Sequence, residues 1–227
     1  MKDAELVLRY APEIYSDEHE TIPIRAVGYS IVRENCVSES FPKRNILTGG
    51  QTAFVIEYAY YWDYDIQHMY DLEHIWVHVG QDGTVLGADG SFHGGFTPLK
   101  WQGVSQFTDD HIHAYCQPGK HAFVADAAMA KAVPGARDAC TGKAGGPVLV
   151  GGPFAGAYHP TEEDDRLSEW YIRKYLSFEP TFRFSKTTLE TAQYMPWETL
   201  KARIPGWIAT ECERIRTLAG QETGECR

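Results

Sequence analysis

The sequence predicts a mainly β protein, a β-sandwich with a few peripheral helices that lie mostly toward the C-terminus. Three observations carry this expectation. Thirteen Tyr, ten Phe and six Trp stand against four Met, and broad rings suit the pleated, half-buried surface of a strand. Twenty-one Gly and twelve Pro supply frequent turns. Short alternating or continuous apolar runs bounded by turn signals recur up to about residue 160.

In order along the chain, Leu6-Val7-Leu8 reads as a short strand, and Ala11-Pro12 breaks it. A polar loop from Ser16 to Thr21 precedes a second strand within Ile22 to Val32. Phe54-Val55-Ile56 continues through Glu57 to Trp62 with aromatic alternation, and Asp63-Tyr64-Asp65 begins a loop. Asp71 to Val79 is the clearest strand. It ends at Gln81-Asp82-Gly83, whose Asp-Gly pair is a hairpin signal, so Val85 to Phe92 pairs antiparallel with it. His111 to Tyr115 and Ala122 to Ala125 read as two more strands, and Ala127 to Val133 as a helical turn. Pro134 to Gly152, rich in Gly and Ala, reads as a long surface loop, either a lid or a mobile connection. Leu167, Trp170, Tyr171 and Tyr175 predict an amphipathic helix over Glu162 to Tyr175. Trp197 to Leu218 predicts another, interrupted at Pro205, with Trp197, Leu200 and Trp207 docking it onto the sandwich.

At 227 residues with no internal repeat, the expectation is a single domain over 1–227: a sandwich core of about 5–160 and a helical extension over 161–227. With 43% hydrophobic and 23% charged residues the chain can bury a core, which excludes a disordered protein. A net charge of −10 without a basic cluster excludes nucleic acid as a partner. No run approaches a membrane span, and Met1 to Glu5 carries charge where a leader needs an apolar core. The expectation is therefore a cytoplasmic protein. Cys36, Cys116, Cys140, Cys212 and Cys226 are scattered and contain no C-x-x-C pair, so reduced thiols are expected rather than a disulfide frame or a cysteine zinc site.

The chemistry concentrates between Asp63 and His74, where four carboxylates and two imidazoles fall within twelve residues. Strand alternation puts Asp71 and Glu73 on one face, and His68 can fold back from the loop to meet them. Ile75, Val77 and Val79 continue that face, and inward carboxylates beside an apolar row need a partner. Mixed nitrogen and oxygen donors of this kind suit a divalent cation. His74, Trp76 and His78 fall on the opposite face; His78 reads as structural, and His74 as structural or as a support behind the ligands.

At these positions the chain resembles the necrosis- and ethylene-inducing cytolysins and the wider vacuolar-sorting-associated-62-like group. The cytolysin heptad G-H-R-H-D-W-E is similar to Gln67-His68-Met69-Tyr70-Asp71-Leu72-Glu73, which keeps the first histidine, the aspartate and the glutamate. Asp71-Leu72-Glu73-His74 resembles D-W-E-H of the other group. Tyr58 to Asp65 is similar to the aromatic strand ending in aspartate, Ser91 to Phe96 to S-x-H-G-G-Y, and Gly119-Lys120-His121-Ala122 to G-S-H-A. Tyr10-Ala11-Pro12, with Pro23 beyond it, is similar to the entrance strand of the vacuolar-sorting group. The resemblance spans about residues 8–126. It implies a sandwich whose loops hold a cation through His68, Asp71 and Glu73, with Asp65, His93 and His121 as direct or water-mediated contributors. His93 and His121 read equally as turn histidines beside glycine.

Three functions follow. The first is a metal-dependent hydrolase, with Glu73 as the candidate acid/base and zinc, manganese, magnesium or calcium as the ion. The second is a non-catalytic module that binds a sugar or polar head group through the ion. The third is a structural metal site, or none, in a protein that acts through its surface. A small polar ligand or carbohydrate is the expected partner, and oligomeric state is left open.

Overall fold

The computed structural model describes residues 2–100 and 102–224; Met1 and Cys226 lie outside the described residues. The chain enters through a helix, α1 (Asp3–Arg9), where Leu6-Val7-Leu8 suggested a strand. Glu5 accepts from the Lys2 backbone N–H at 3.1 Å, and Arg9 lies in the last turn, so acid and base sit at the helix ends that favour them. Val7 and Tyr10, three residues apart, bury together, and the apolar triple is read around a helix face rather than across a pleat.

The strands that follow are β1 (Glu13–Asp17), β2 (Ala26–Val32), the short pair β3 (Cys36–Val37) and β4 (Asn45–Ile46), then β5 (Thr52–Asp65), β6 (His68–Gly80), β7 (Val85–Phe92) and β8 (Gly95–Pro98). Next come β9 (Phe107–Thr108), β10 (His111–Cys116), β11 (Phe123–Val124), α2 (Ala127–Ala132), α3 (Ala136–Cys140) and α4 (Glu162–Tyr171). The chain ends through β12 (Phe184–Lys186), β13 (Tyr194–Pro196) and α5 (Trp197–Gly224). The fold is mainly β, with its longer helices toward the C-terminus.

Six strands form one sheet in the order β13-β2-β5-β6-β7-β8, in which β5 to β8 are an antiparallel meander. The facing sheet runs β11-β10-β1-β12, with β9 on β10. Two pairings are parallel, β1 with β10 and β13 with β2. Ile14, Ile112 and Ala114 from one sheet and Tyr58, Tyr60, Ile75 and Val77 from the other share one core. α5 lies outside the larger sheet and buries Leu200, Ile204, Ile208, Cys212 and Ile215 along one face, together with Trp197. Pro205 lies inside α5 without ending it: the residues on its buried side, Ile204 and Ile208, are in the core, and that packing outweighs one missing backbone hydrogen bond.

The stretch from Pro134 to Gly152 also departs from expectation. It contains α3 and is then tied down as a strap: the Gly145 N–H donates to the Ile66 carbonyl at 2.9 Å, the Met69 N–H to the Pro147 carbonyl at 2.9 Å, and the Val148 N–H to Asp165 Oδ1 at 3.0 Å. At Gly146 a Cβ would lie 1.7 Å from the Gln67 carbonyl oxygen, so only glycine lets the strap lie this close to β6. Among the described residues, no helix is long and apolar enough to cross a membrane.

Candidate functional site

The β5–β6 hairpin places the carboxylates. Asp71 pairs opposite Trp62 and Glu73 opposite Tyr60, on the inward face that continues as Ile75, Val77 and Val79. At Tyr70 the backbone turns left-handed (φ 54°), and its hydroxyl donates to the Gly151 carbonyl at 2.9 Å. That kink interrupts the alternation. His68 therefore does not bond to Asp71 or Glu73; its Nδ1 donates to the Tyr70 carbonyl at 2.8 Å and its Nε2 faces Asp65 Oδ2 at 3.6 Å.

The facing sheet supplies the rest from the turn Gln117 to His121. Gly119 has a left-handed backbone (φ 65°), its carbonyl accepts the Ile66 N–H at 2.7 Å, and a Cβ there would meet Ile66 Cβ at 2.8 Å. This close seat carries two adjacent cations to two carboxylates. Lys120 Nζ lies 2.6 Å from Asp65 Oδ2, with the two side chains 16% and 3% exposed. The His121 ring stacks on Trp62, with centroids 4.3 Å apart and planes 2° from parallel, and its Nδ1 lies 3.0 Å from Asp71 Oδ2. Its Nε2 lies 3.9 Å from Glu20 Oε1. Burial opposes charging this ring, yet the hydrogen bond to Asp71 and the charge of Glu20 outweigh it and push its pKa up to about 10. His121 is thus a cation near neutrality.

Glu73 is different. Burial, and then the negative charge of Asp71, hold its carboxyl well above the usual carboxylate range, and the Ser91 hydroxyl bonds closely to it. The same Ser91 oxygen accepts the His74 N–H at 2.6 Å. His93 stands apart: it is exposed at the β7–β8 turn with φ 48°, and its ring rests edge-on against Phe92 without a hydrogen bond or ion pair to the cluster. The six residues singled out from the sequence are thus distributed over an Asp65–His68 pair, an Asp71–His121 pair, Glu73 on Ser91, and a separate His93.

Beside this cluster opens a cleft of about 320 Å³ between three segments: Ser40 to Lys43, the outer face of β6 at Leu72 and His74, and the end of the strap from Leu149 to Pro153. Its walls are mostly apolar. Leu149, 57% exposed, forms part of the rim. His74 is 1% exposed, its ring is stacked with Trp76 at 5.5 Å and lies edge-on to Phe41 at 5.3 Å, and neither ring nitrogen has a hydrogen-bond partner. Burial lowers its pKa to about 3, so the ring is neutral. His78, four residues on, meets Asp89 Oδ2 at 3.4 Å.

The resemblance implies a divalent ion, and the donors can be tested for it. Asp65 holds an ammonium group. Asp71 uses one oxygen for His121 and the other for the Leu72 N–H at 2.8 Å. The His121 Nδ1 is turned onto Asp71 and the Ser91 hydroxyl onto Glu73, so neither side chain is directed at a shared point. Among the described residues, no three His, Cys, Asp or Glu side chains converge as an ion would require. As arranged, these residues do not fit a divalent metal.

No protein-family model matches the chain, and no curated protein is similar to it. Solved structures are. The crystal structure of necrosis and ethylene inducing protein 2 from the causal agent of cocoa's witches' broom disease aligns at 14% identity over 54% of this chain and 67% of that one, with a TM-score of 0.36. NLPPya in complex with glucosamine aligns at 15% identity over 55% and 68%, with a TM-score of 0.37. A mutant of NLPPya aligns at 15% over 61% and 79%, with a TM-score of 0.32. The likeness is one of fold, and it is distant.

Three functional features lie outside the sequence reading. Lys120 looks like a solvated turn lysine until the turn is seen docked on Ile66. Glu20, in what reads as a polar loop, accepts the Gly119 N–H at 2.8 Å and so holds that turn in place. Ser91 was visible in its motif, but its bond to Glu73 depends on how far β7 is displaced along β6.

Proposed function

We propose that the chain is a non-catalytic binding module for a small hydroxylated ligand, a sugar being the fitting class, held in the cleft beside the Asp71–His121 pair. The observation that supports this reading is His74. A buried neutral imidazole offers one N–H donor and one acceptor, and leaving both without a partner costs stability. A ligand hydroxyl, itself donor and acceptor, can serve the ring nitrogen turned to the cleft whichever tautomer is present, while Phe41, Leu72 and Leu149 suit the apolar face of a sugar ring. The test is calorimetric titration with a panel of neutral and amino monosaccharides. His74→Phe keeps the ring contacts with Phe41 and Trp76 and removes both nitrogens, so binding weakens by about tenfold or more. Absence of binding across the panel, or full affinity in the variant, defeats the reading.

A second reading is hydrolysis with Glu73 as the proton carrier, since that carboxyl is held by the Ser91 hydroxyl beside Asp71 and burial raises its pKa. Turnover of ester, phosphate or glycoside substrates that disappears in Glu73→Gln is its measure.

A further inference from the structure

Lys120 and His121 are neighbours in the chain, and the turn that carries them is held on both sides, by Ile66 through the Gly119 carbonyl and by Glu20 through the Gly119 N–H. Their partners, Asp65 and Asp71, lie six residues apart at the end of one hairpin. Lys120 and Asp65 are both largely withdrawn from water, so this is not a surface ion pair that solvent screens away. An ammonium and an imidazole from one turn thus each meet one carboxylate of the hairpin. Glu20, whose Oε1 lies 3.9 Å from His121 Nε2, also accepts the N–H groups of Thr21, Ile22 and Gly119.

We propose that the Lys120 ammonium on Asp65 and the His121 ring on Asp71 occupy the carboxylates of this acidic cluster in the place of a divalent metal, so that the site is complete without one. The lysine is the deciding residue, because its ammonium lies 2.6 Å from a carboxylate that is itself only 3% exposed. Removing its ammonium leaves Asp65 buried beside His68 Nε2 with no cation on it, an unbalanced negative charge that attracts one. The inference does not depend on whether the cleft takes a sugar.

The test is titration of chelator-stripped full-length protein with magnesium, calcium, manganese and zinc, each alone, for wild type, Lys120→Met and Lys120→Gln. Wild type shows no saturable binding, while the neutral variants gain a single site at least about tenfold tighter than anything in wild type, as loss of a unit charge a few ångströms from the ion dictates. The variants also melt lower in chelator and recover when the ion is added. One ion bound by wild type as tightly as by the variants overturns the proposal, as does a folded variant that binds none. Should neither variant fold in chelator, the wild-type titration decides alone: a stoichiometric ion that shifts the His68 and His121 ring resonances overturns it, and none upholds it. Sugar titrations run in parallel report on the cleft separately.

Discussion

His74 and His121 are both buried to 1% exposure, yet they hold opposite charge states, and the difference lies in what faces each ring. His121 has Asp71 and Glu20 before it; the His74 ring packs on Phe41 and Trp76 and bonds no carboxylate, so burial outweighs the charge of Asp71. The two histidines therefore act on stability at opposite ends of the pH scale. For His121, whose folded pKa is raised from 6.5 to about 10, the contribution is full below pH 6.5 and is lost as pH rises toward 10. For His74, lowered from 6.5 to about 3, the unfolded chain takes up the proton first, so stability falls as pH drops from 6.5 toward 3. Each limb amounts to at most about 1.4 kcal/mol per pH unit. Urea midpoints measured across this range should decline on both sides of neutrality, with His121→Gln flattening the alkaline side and His74→Phe the acid side. A variant that leaves its own limb unchanged contradicts the assignment.

At the level of elements, the strap is the feature whose disruption reaches the site. Gly146→Ala forces a methyl group into the Gln67 carbonyl, so either the strap lifts or β6 shifts, at a cost of about 2 kcal/mol or more. Because Tyr70 bonds to Gly151 at the end of the same strap, the variant should lose cleft binding as well as stability, measured by denaturant midpoint and by ligand titration. α5 gives a contrasting case. Pro205 stands within a continuous helix, so Pro205→Ala should raise stability by about 1–3 kcal/mol, seen as a higher melting temperature. No gain there would mean that the surrounding backbone is adapted to the ring.

For the whole molecule, what was legible in the sequence was what is local. The β5–β6–β7 meander follows from aromatic alternation and the Asp82-Gly83 turn, and the same alternation put Asp71 and Glu73 inward and His74 outward. The parallel pairings of β1 with β10 and of β13 with β2 leave no mark in a window of neighbouring residues, because their partners are brought together only by the completed fold. α1 was misread because three apolar residues in a row fit either period. In the site, the carboxylates could be placed from their own strand. Lys120 could not, because its burial is set by a turn docking across two sheets, and neither could the partnerless nitrogens of His74, whose cover, Phe41, comes from the loop between β3 and β4.

The short stretch holding β12 and β13 gives an edge to each sheet: β12 lies against β1, and β13 against β2. Its place in the chain has a consequence for synthesis. A nascent chain emerging N-terminus first exposes β1 and β2 with bare hydrogen-bonding edges until residues 184–196 have left the ribosome. During that interval the half-made protein offers two adhesive rims to its surroundings, and the same thirteen residues close both. Both sheets thus wait on one short stretch of chain for their last strand.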